Sequence, residues 1–291
     1  MLVNLAEFEV LKFTGPESHS FLQGQVTCDV NLLKEHDWKG GAHCNAKGKA
    51  WATFIAFERN EDIYLIMTKE SAKLSFAEFS KYGVFSKTDI SIDTANWQVF
   101  GAIDPASDLT ETLESLPATE IKVIALTDSH GLLLVPMNAD APLLADTQDS
   151  AEWWFHEVLS GRAHLYSKTT GEYVPQMINL QALDYISFNK GCYMGQEMVA
   201  RMRYLGKNKR ALYIGEHQGN VDLTPGQDVF KEMNGNSRAA GKVINSQSLN
   251  GKTVMQLVLN NDTELTQKIY LDADCGNSVS LLPLPYSLEQ D

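Results

Sequence analysis

Polar and apolar residues alternate from Leu2 to Phe13, the period-two pattern of a strand that buries one face. Thr14-Gly15-Pro16-Glu17 then supplies a helix start, with proline and an acid in the first turn, and Gly24 supplies its stop. Trp51 to Phe57 and Ile63 to Met67 are apolar, partly β-branched runs. The polar stretch Glu58-Arg59-Asn60-Glu61-Asp62 between them predicts a hairpin loop. Thr68 to Tyr82 carries Ala72, Phe76 and Phe79 at helical spacing, and Gly83 is placed to end that helix in the left-handed region. Strand patterns resume at Asp89 to Asp93, Val99 to Ile103, Ile121 to Leu126 and Leu132 to Pro136, the last two joined by the turn formers Asp128-Ser129-His130-Gly131. Ser150 to Leu159 reads as a helix capped by Ser150 and stopped by Gly161, and a further helix should begin near Gly195. That start places Cys192 just ahead of a helix.

Beyond Gly206 the texture changes. Short β-like runs at Ala211 to Gly215, Lys252 to Leu259 and Lys268 to Leu271 are separated by Pro225-Gly226, Asn234-Gly235 and Asn250-Gly251 turn signals, the pattern of a small β-barrel. The expected division is 1–205, where strands and helices interleave, and 206–291, the barrel. With no repeat, low-complexity stretch or Pro/Ser linker between them, the two should pack together.

Composition narrows the class. A chain of 291 residues with 44% hydrophobic and 21% charged residues can bury more than one core. Its net charge of −13 opposes wholesale attraction to nucleic acid or anionic lipid, although a local basic patch overrides an average field. The first ten residues lack the basic start and sustained apolar run of a signal peptide or membrane span. Four widely spaced cysteines, Cys28, Cys44, Cys192 and Cys275, without a Cys-x-x-Cys pair, argue against a disulfide framework or zinc ribbon and for a reducing cytoplasm.

Candidate chemistry concentrates in Lys190-Gly191-Cys192-Tyr193-Met194-Gly195-Gln196-Glu197. Two glycines let the backbone approach a ligand, the following helix start favours negative charge, and Lys190 two residues from Cys192 favours a thiolate. The competing reading is a buried structural cysteine. Arg201, Arg203, Lys207, Lys209 and Arg210 follow within ten residues, with Tyr204 among them and no acid between Met198 and Gly215. Such a run is either a solvated helix face or an anion site, suited to a small anionic molecule as well as to RNA. His43-Cys44 beside Lys47-Gly48-Lys49 lacks a recognised ligand spacing and reads as a turn into a strand, so no metal site is expected. Trp153-Trp154-Phe155 reads first as core, with one tryptophan free to line a pocket. Neither a triad pattern at the histidines, such as His19 and His36, nor a nucleotide-binding glycine motif is present.

Three segments taken together resemble the YgfZ family: Phe21-Leu22-Gln23-Gly24-Gln25-Val26-Thr27-Cys28-Asp29-Val30, His43-Cys44-Asn45-Ala46-Lys47-Gly48-Lys49, and Lys190 to Arg201 with its Lys-Gly-Cys-Tyr-x-Gly-Gln-Glu core. The closing Pro283-Leu284-Pro285-Tyr286-Ser287-Leu288-Glu289 extends the likeness over essentially the whole chain. That family is folate-binding, described as tRNA-modifying, and linked to iron-sulfur enzymes. The resemblance implies an α+β fold similar to the aminomethyltransferase of the glycine cleavage system: two α/β subdomains around a central folate channel, plus a C-terminal β-barrel. It also implies folate held by stacking on Trp153 and on Phe8, which stands where close relatives carry tryptophan. The relatives' acid before the helix-ending glycine is replaced by Leu159, with Glu157 nearby as a substitute. The paired acids of the aminomethyltransferases fall at Ala52 and Thr53, neither of which can move a proton, so that reaction is not expected.

The leading expectation is therefore a folate-binding protein in which Cys192 is a reactive thiol supporting iron-sulfur enzymes, including those that thiolate tRNA. Lys190 and Gly191 would tune the thiol; Tyr193, Gly195, Gln196, Glu197 and Arg201 belong to its motif. Arg203, Lys207, Lys209 and Arg210 would meet the carboxylates of a folate tail. A folate-dependent one-carbon transferase or demethylase and an RNA-binding module are the alternatives.

Overall fold

The computed structural model describes residues 1–34, 37–103, 121–137, 149–206 and 208–288. His36, Lys207 and Glu289 lie outside them. A five-stranded antiparallel sheet has the order β3-β4-β5-β2-β6, formed by β2 (Phe8–Thr14), β3 (Lys39–Cys44), β4 (Ala50–Arg59), β5 (Asp62–Thr68) and β6 (Asp89–Ile92). A four-stranded antiparallel sheet, β1-β7-β9-β8, combines β1 (Leu2–Asn4) with β7 (Trp97–Ile103), β8 (Lys122–Ala125) and β9 (His130–Pro136). The third unit is a closed six-stranded barrel running from β10 (Arg210–Gln218) through β11 (Asp228–Met233), β12 (Asn236–Leu249), β13 (Lys252–Asn260) and β14 (Ile269–Tyr270) to β15 (Ser278–Leu282).

The single strand expected over Leu2 to Phe13 is two strands in two sheets. β1 pairs with β7, Val3 opposite Gly101, whereas β2 pairs with β5 and β6. The Leu5 amide donates to the Val99 carbonyl at 2.9 Å and the Phe8 amide turns back to the Leu5 carbonyl at 3.2 Å, which redirects the chain between sheets. Helix α1 (Ser18–Gln23) ends at Gly24 as its sequence indicates, and the β4–β5 hairpin turns at Asn60-Glu61. Helix α2 (Lys69–Gly83) differs at its end: Gly83 remains helical, and its missing side chain makes room for Ile90, which a Cβ would approach to 2.8 Å. Helix α3 (Ala151–Leu159) follows Ser150, whose side chain makes no cap bond; Asp149 Oδ1 accepts from the Ala151 amide instead. Helix α4 (Gln196–Tyr204) starts at Gly195. The Asn234-Gly235 and Asn250-Gly251 turns join β11 to β12 and β12 to β13.

One core, built on Phe8, Phe57, Trp97, Trp153, Trp154 and Leu165, runs through both sheets and reaches Leu212 and Val258 of the barrel. A second fills the space between the five-stranded sheet and α1 and α2, with Phe13, Leu22, Leu65 and Phe79 fully buried. At the heart of the first core the Trp153 indole lies directly on Gly101 of β7, where any Cβ would meet Trp153 Cδ1 at 2.4 Å. Gly101→Ala is expected to destabilise the protein by about 1–3 kcal/mol, since overpacking here forces a rigid indole to shift. Urea unfolding, which should show a lower midpoint with unchanged slope, measures it.

Candidate functional site

The three sequence segments that carry the family likeness meet at one place, around Cys192. Gly24 to Cys28 forms its floor: the Met194 amide donates to the Gly24 carbonyl at 3.0 Å, the Ser187 amide to the Thr27 carbonyl at 2.9 Å, and Thr27 Oγ1 to the Tyr185 carbonyl at 2.7 Å. The Thr27 hydroxyl also accepts from the Ala42 amide at 2.8 Å, tying this floor to β3. The third segment supports the helix start. Asn45 Oδ1 accepts from the Lys47 and Lys49 amides at 2.9 and 3.0 Å, shaping a tight turn whose Gly48 lies against Gly195 and Met198. Gly195 sits at φ +81°, and a Cβ there would come within 2.5 Å of the Asn45 carbonyl oxygen. Both backbone geometry and space therefore select glycine at the entry to α4.

Lys190 is buried, and its stem carries the ammonium inward, away from the role its position in the chain suggests. Nζ donates to the Val26 carbonyl at 2.9 Å and to the Cys28 carbonyl at 2.6 Å, and lies 5.2 Å from the centre of the Tyr193 ring. Burial pulls its pKa down to about 8, opposed by Cys28 and Asp29. The expected tuning of Cys192 by Lys190 is thus replaced by a structural clamp: the cation is spent on carbonyls of the floor. Tyr193 is buried between Cys28 and Cys44, and burial raises its hydroxyl pKa strongly.

Cys192 itself is exposed, next to an exposed Gly191 with no atom within 4 Å of where its Cβ would stand. The buried-cysteine reading applies instead to Cys28 and Cys44, whose thiols burial pushes up to about 11 and about 12. His43, beside Cys44, is a core residue. It stacks on Phe79 with ring centres 3.8 Å apart, its Nδ1 is 3.2 Å from Ser75 Oγ, and burial lowers its pKa to about 3. Among the described residues no cluster of three or more His, Cys, Asp or Glu side chains could hold a metal ion.

In α4, Glu197 occupies the first turn and supplies the negative charge that a helix start favours, while Gln196, Glu197 and Arg201 lie outside the core. The cations divide. Arg203 is exposed and lies over Phe188 at 3.9 Å and Tyr204 at 5.6 Å; Lys209 is exposed as well. Arg210 belongs to β10, is half-buried, and donates through one guanidinium nitrogen to the Ala240 carbonyl at 3.1 Å, which braces the barrel. Lys207 is outside the described residues.

Phe8 and Trp153 do come together, but not as an open stack. Trp153 is fully buried, donates through Nε1 to the Gly131 carbonyl at 2.9 Å, and stands edge-on to Phe8 at 5.9 Å. Phe8 stacks on Trp154 at 5.5 Å with planes 6° apart. Beside them lies a cluster that sequence reasoning singles out only through Glu157. That carboxylate accepts from His130 Nε2 at 2.6 Å, His164 Nε2 at 2.7 Å and Arg162 Nε at 3.2 Å. The proximity of Glu157, Arg162 and His164 in an otherwise apolar stretch was the available signal; His130 needed the fold. Burial pushes the Glu157 pKa up, yet the Arg162 charge and the two imidazole hydrogen bonds outweigh it and hold the carboxyl well below its ordinary range. Glu157 is therefore already occupied.

The residue types suit the flat ring of a folate: aromatic walls and an imidazole, His164, whose buried Nδ1 has no hydrogen-bond partner among the described residues. The space does not suit it in this arrangement, because each wall is packed against another. Thr53, at one of the aminomethyltransferases' acid positions, is buried with its hydroxyl donating to the Ala163 carbonyl at 2.6 Å, and Ala52 is fully buried.

Over 98% of its length the chain superimposes on 85% of the glycine cleavage system aminomethyltransferase T from Bartonella henselae, with a TM-score of 0.72 and 13% identity. The fold is thus the aminomethyltransferase fold, mixed helix and sheet with a closed six-stranded barrel. No family model matches the chain. Curated relatives named "tRNA-modifying protein YgfZ" are 33% identical in Vibrio atlanticus, 35% in Colwellia psychrerythraea and 34% in Serratia proteamaculans; the matches span 99–100% of this chain and 93–94% of theirs. The chain belongs to the YgfZ family. No helix among the described residues is long and apolar enough to cross a membrane.

Two outcomes are expected. Alkylation of the native protein, mapped by mass spectrometry, should label Cys192 and spare Cys28 and Cys44 until the protein is unfolded. Glu157→Gln should cost about 3–5 kcal/mol at neutral pH by leaving Arg162 buried without its counter-charge. Because the Glu157 pKa is depressed, its contribution is complete above the unfolded carboxylate value of about 4.3 and fades as pH falls through the folded one. Urea midpoints should therefore drop more steeply below about pH 4 in the wild type than in the variant.

Proposed function

We propose that this protein supports tRNA modification through the Cys192 thiol, offered to a partner enzyme or its iron-sulfur centre, with a folate as its small-molecule ligand. The observation that carries this reading is the convergence of three separate chain segments to hold one exposed thiol on a rigid floor. Thiol chemistry needs access and a fixed position, and the loop from Lys190 to Gly195 supplies both: clamped beneath by the Lys190 ammonium, open above at Gly191 and Cys192. The names of the relatives support the tRNA role, and the fold shared with a folate-using enzyme class supports the ligand.

A one-carbon transferase is disfavoured by Ala52 and Thr53. Neither offers a carboxylate, and the Thr53 hydroxyl already holds the chain at Ala163. Entry of a folate ring at the aromatic cluster requires the Phe8–Trp154 stack to open.

Cys192→Ala is the decisive variant. Cells relying on it should show loss of thiolated tRNA, while the purified variant keeps the wild-type stability and the same tetrahydrofolate-dependent quench of tryptophan fluorescence. Normal tRNA thiolation with Cys192→Ala would remove the thiol from the mechanism, and a wild-type protein without any quench would remove the folate.

A further inference from the structure

A cavity of about 360 Å³ opens beside the Cys192 loop, separate from the aromatic cluster at Trp153. Asp29, Lys39, Ser187, Phe188, Asn189 and Arg203 are among its lining residues. Its wall at Asn189 is exposed and lies three positions before Cys192. The Lys39 ammonium is neutralised by Asp184 at 2.8 Å, and one Asp29 oxygen is taken by Gln23 Nε2 at 2.9 Å and the Asn31 amide at 3.1 Å. Arg203 is different. Its guanidinium carbon lies 3.9 Å from the centre of the Phe188 ring and 5.6 Å from that of Tyr204, and it makes no salt bridge among the described residues. A guanidinium grouped with two aromatic rings is a surface on which a further planar ring can stack.

The surroundings fit a polymer carrying both rings and phosphates. Tyr204 is 64% exposed and Leu205 86% exposed, at the end of a helix that also exposes Arg201. Lys209 follows, and the turn bearing Lys47 and Lys49 packs on Met198 of the same helix. The nearby acids are Glu197, the Asp184 already paired with Lys39, and Asp29 of the cavity lining, one of whose oxygens is held by Gln23 and the Asn31 amide. Cations interleaved with exposed rings are the pattern by which single strands are bound, the rings stacking on bases while the cations follow the backbone. A duplex, with its bases already stacked, cannot use the platform.

We infer that this face binds single-stranded RNA, with one unpaired base entering the cavity onto the Arg203 guanidinium and its edge meeting Ser187 and Asn189, while Arg201, Lys209 and the Lys47 turn meet the flanking phosphates. The chain's overall charge of −13 limits this to a local interaction and makes it strongly salt-dependent. The site uses neither the Cys192 sulfur nor the aromatic cluster, so it stands or falls apart from the proposed function.

The test is fluorescence anisotropy of full-length protein with a labelled twelve-nucleotide single-stranded RNA, a hairpin duplex of the same composition, and a polyglutamate competitor. Arg203→Ala should weaken binding about tenfold, in line with the loss of one stacked base, and Arg203→Lys should not recover the affinity; the salt slope, set by Arg201, Lys209 and Lys47 at the phosphates, should be the same in both variants as in the wild type. Cys192→Ala should bind as the wild type does. A 2-aminopurine placed along the strand should change its fluorescence at one position, and lose that change in Arg203→Ala. Equal affinity for the duplex, displacement of RNA by polyglutamate at equal charge, or insensitivity to both Arg203 variants would overturn the proposal; the last applies even if binding is tight.

Discussion

The buried carboxylate of Glu157 is where the three units of this protein are joined. It lies on α3, His130 comes from β9 of the four-stranded sheet, and Arg162 and His164 come from the segment that runs back to the other sheet. The backbone of that segment is gripped by the barrel: Gln256 Nε2 donates to the Val158 and Arg162 carbonyls at 3.0 and 2.9 Å, and Tyr286 Oη donates to the Gly161 carbonyl at 3.1 Å. A charge buried this deeply is tolerated only with its full set of partners, so the geometry of each unit is constrained by the other two. The aromatic cluster of Phe8, Trp153 and Trp154 grows from the same junction.

The Cys192 loop obeys a related rule on the opposite principle. There the buried charge is a cation, and its partners are carbonyl oxygens, which carry no counter-charge but have a definite direction. Lys190 consequently fixes two strands of backbone relative to each other, and the thiol two residues on inherits that fixed position while staying in solvent. Chemistry and rigidity are divided between neighbours in the motif, with Lys190 and Tyr193 inside and Gly191 and Cys192 outside.

Much of this architecture was legible in local signals. Gly24 after α1, the polar loop at Asn60 and the Asn-Gly turns of the barrel each act over a few residues, where backbone preferences decide the outcome. Two failures have a shared cause. Leu2 to Phe13 alternates without a glycine or proline, so nothing local marks the change of sheet between Asn4 and Phe8; it is imposed by partners roughly a hundred positions away on β7. Lys190 was similarly read by its distance along the chain to Cys192, whereas a four-carbon stem lets the ammonium choose among acceptors in three dimensions. Helical spacing marked Trp153 as core, whereas the exposure of Cys192 and the burial of Arg162 depend on packing that no spacing encodes.

The split between β1 and β2 also bears on how the chain is made. The five-stranded sheet is drawn entirely from residues 8–92 and is complete once those have left the ribosome, so it can form from the N-terminal end as a contiguous unit. The four-stranded sheet cannot, because its edge strand β1 precedes the whole five-stranded sheet in the chain and its partner, β7, arrives only at Trp97–Ile103. During that interval Leu2 and Val3 have no ladder to join, and the second sheet closes through a pairing of high sequence separation, which is slow. Leu2 to Asn4 therefore wait for a partner that follows all five strands of the sheet synthesised after them.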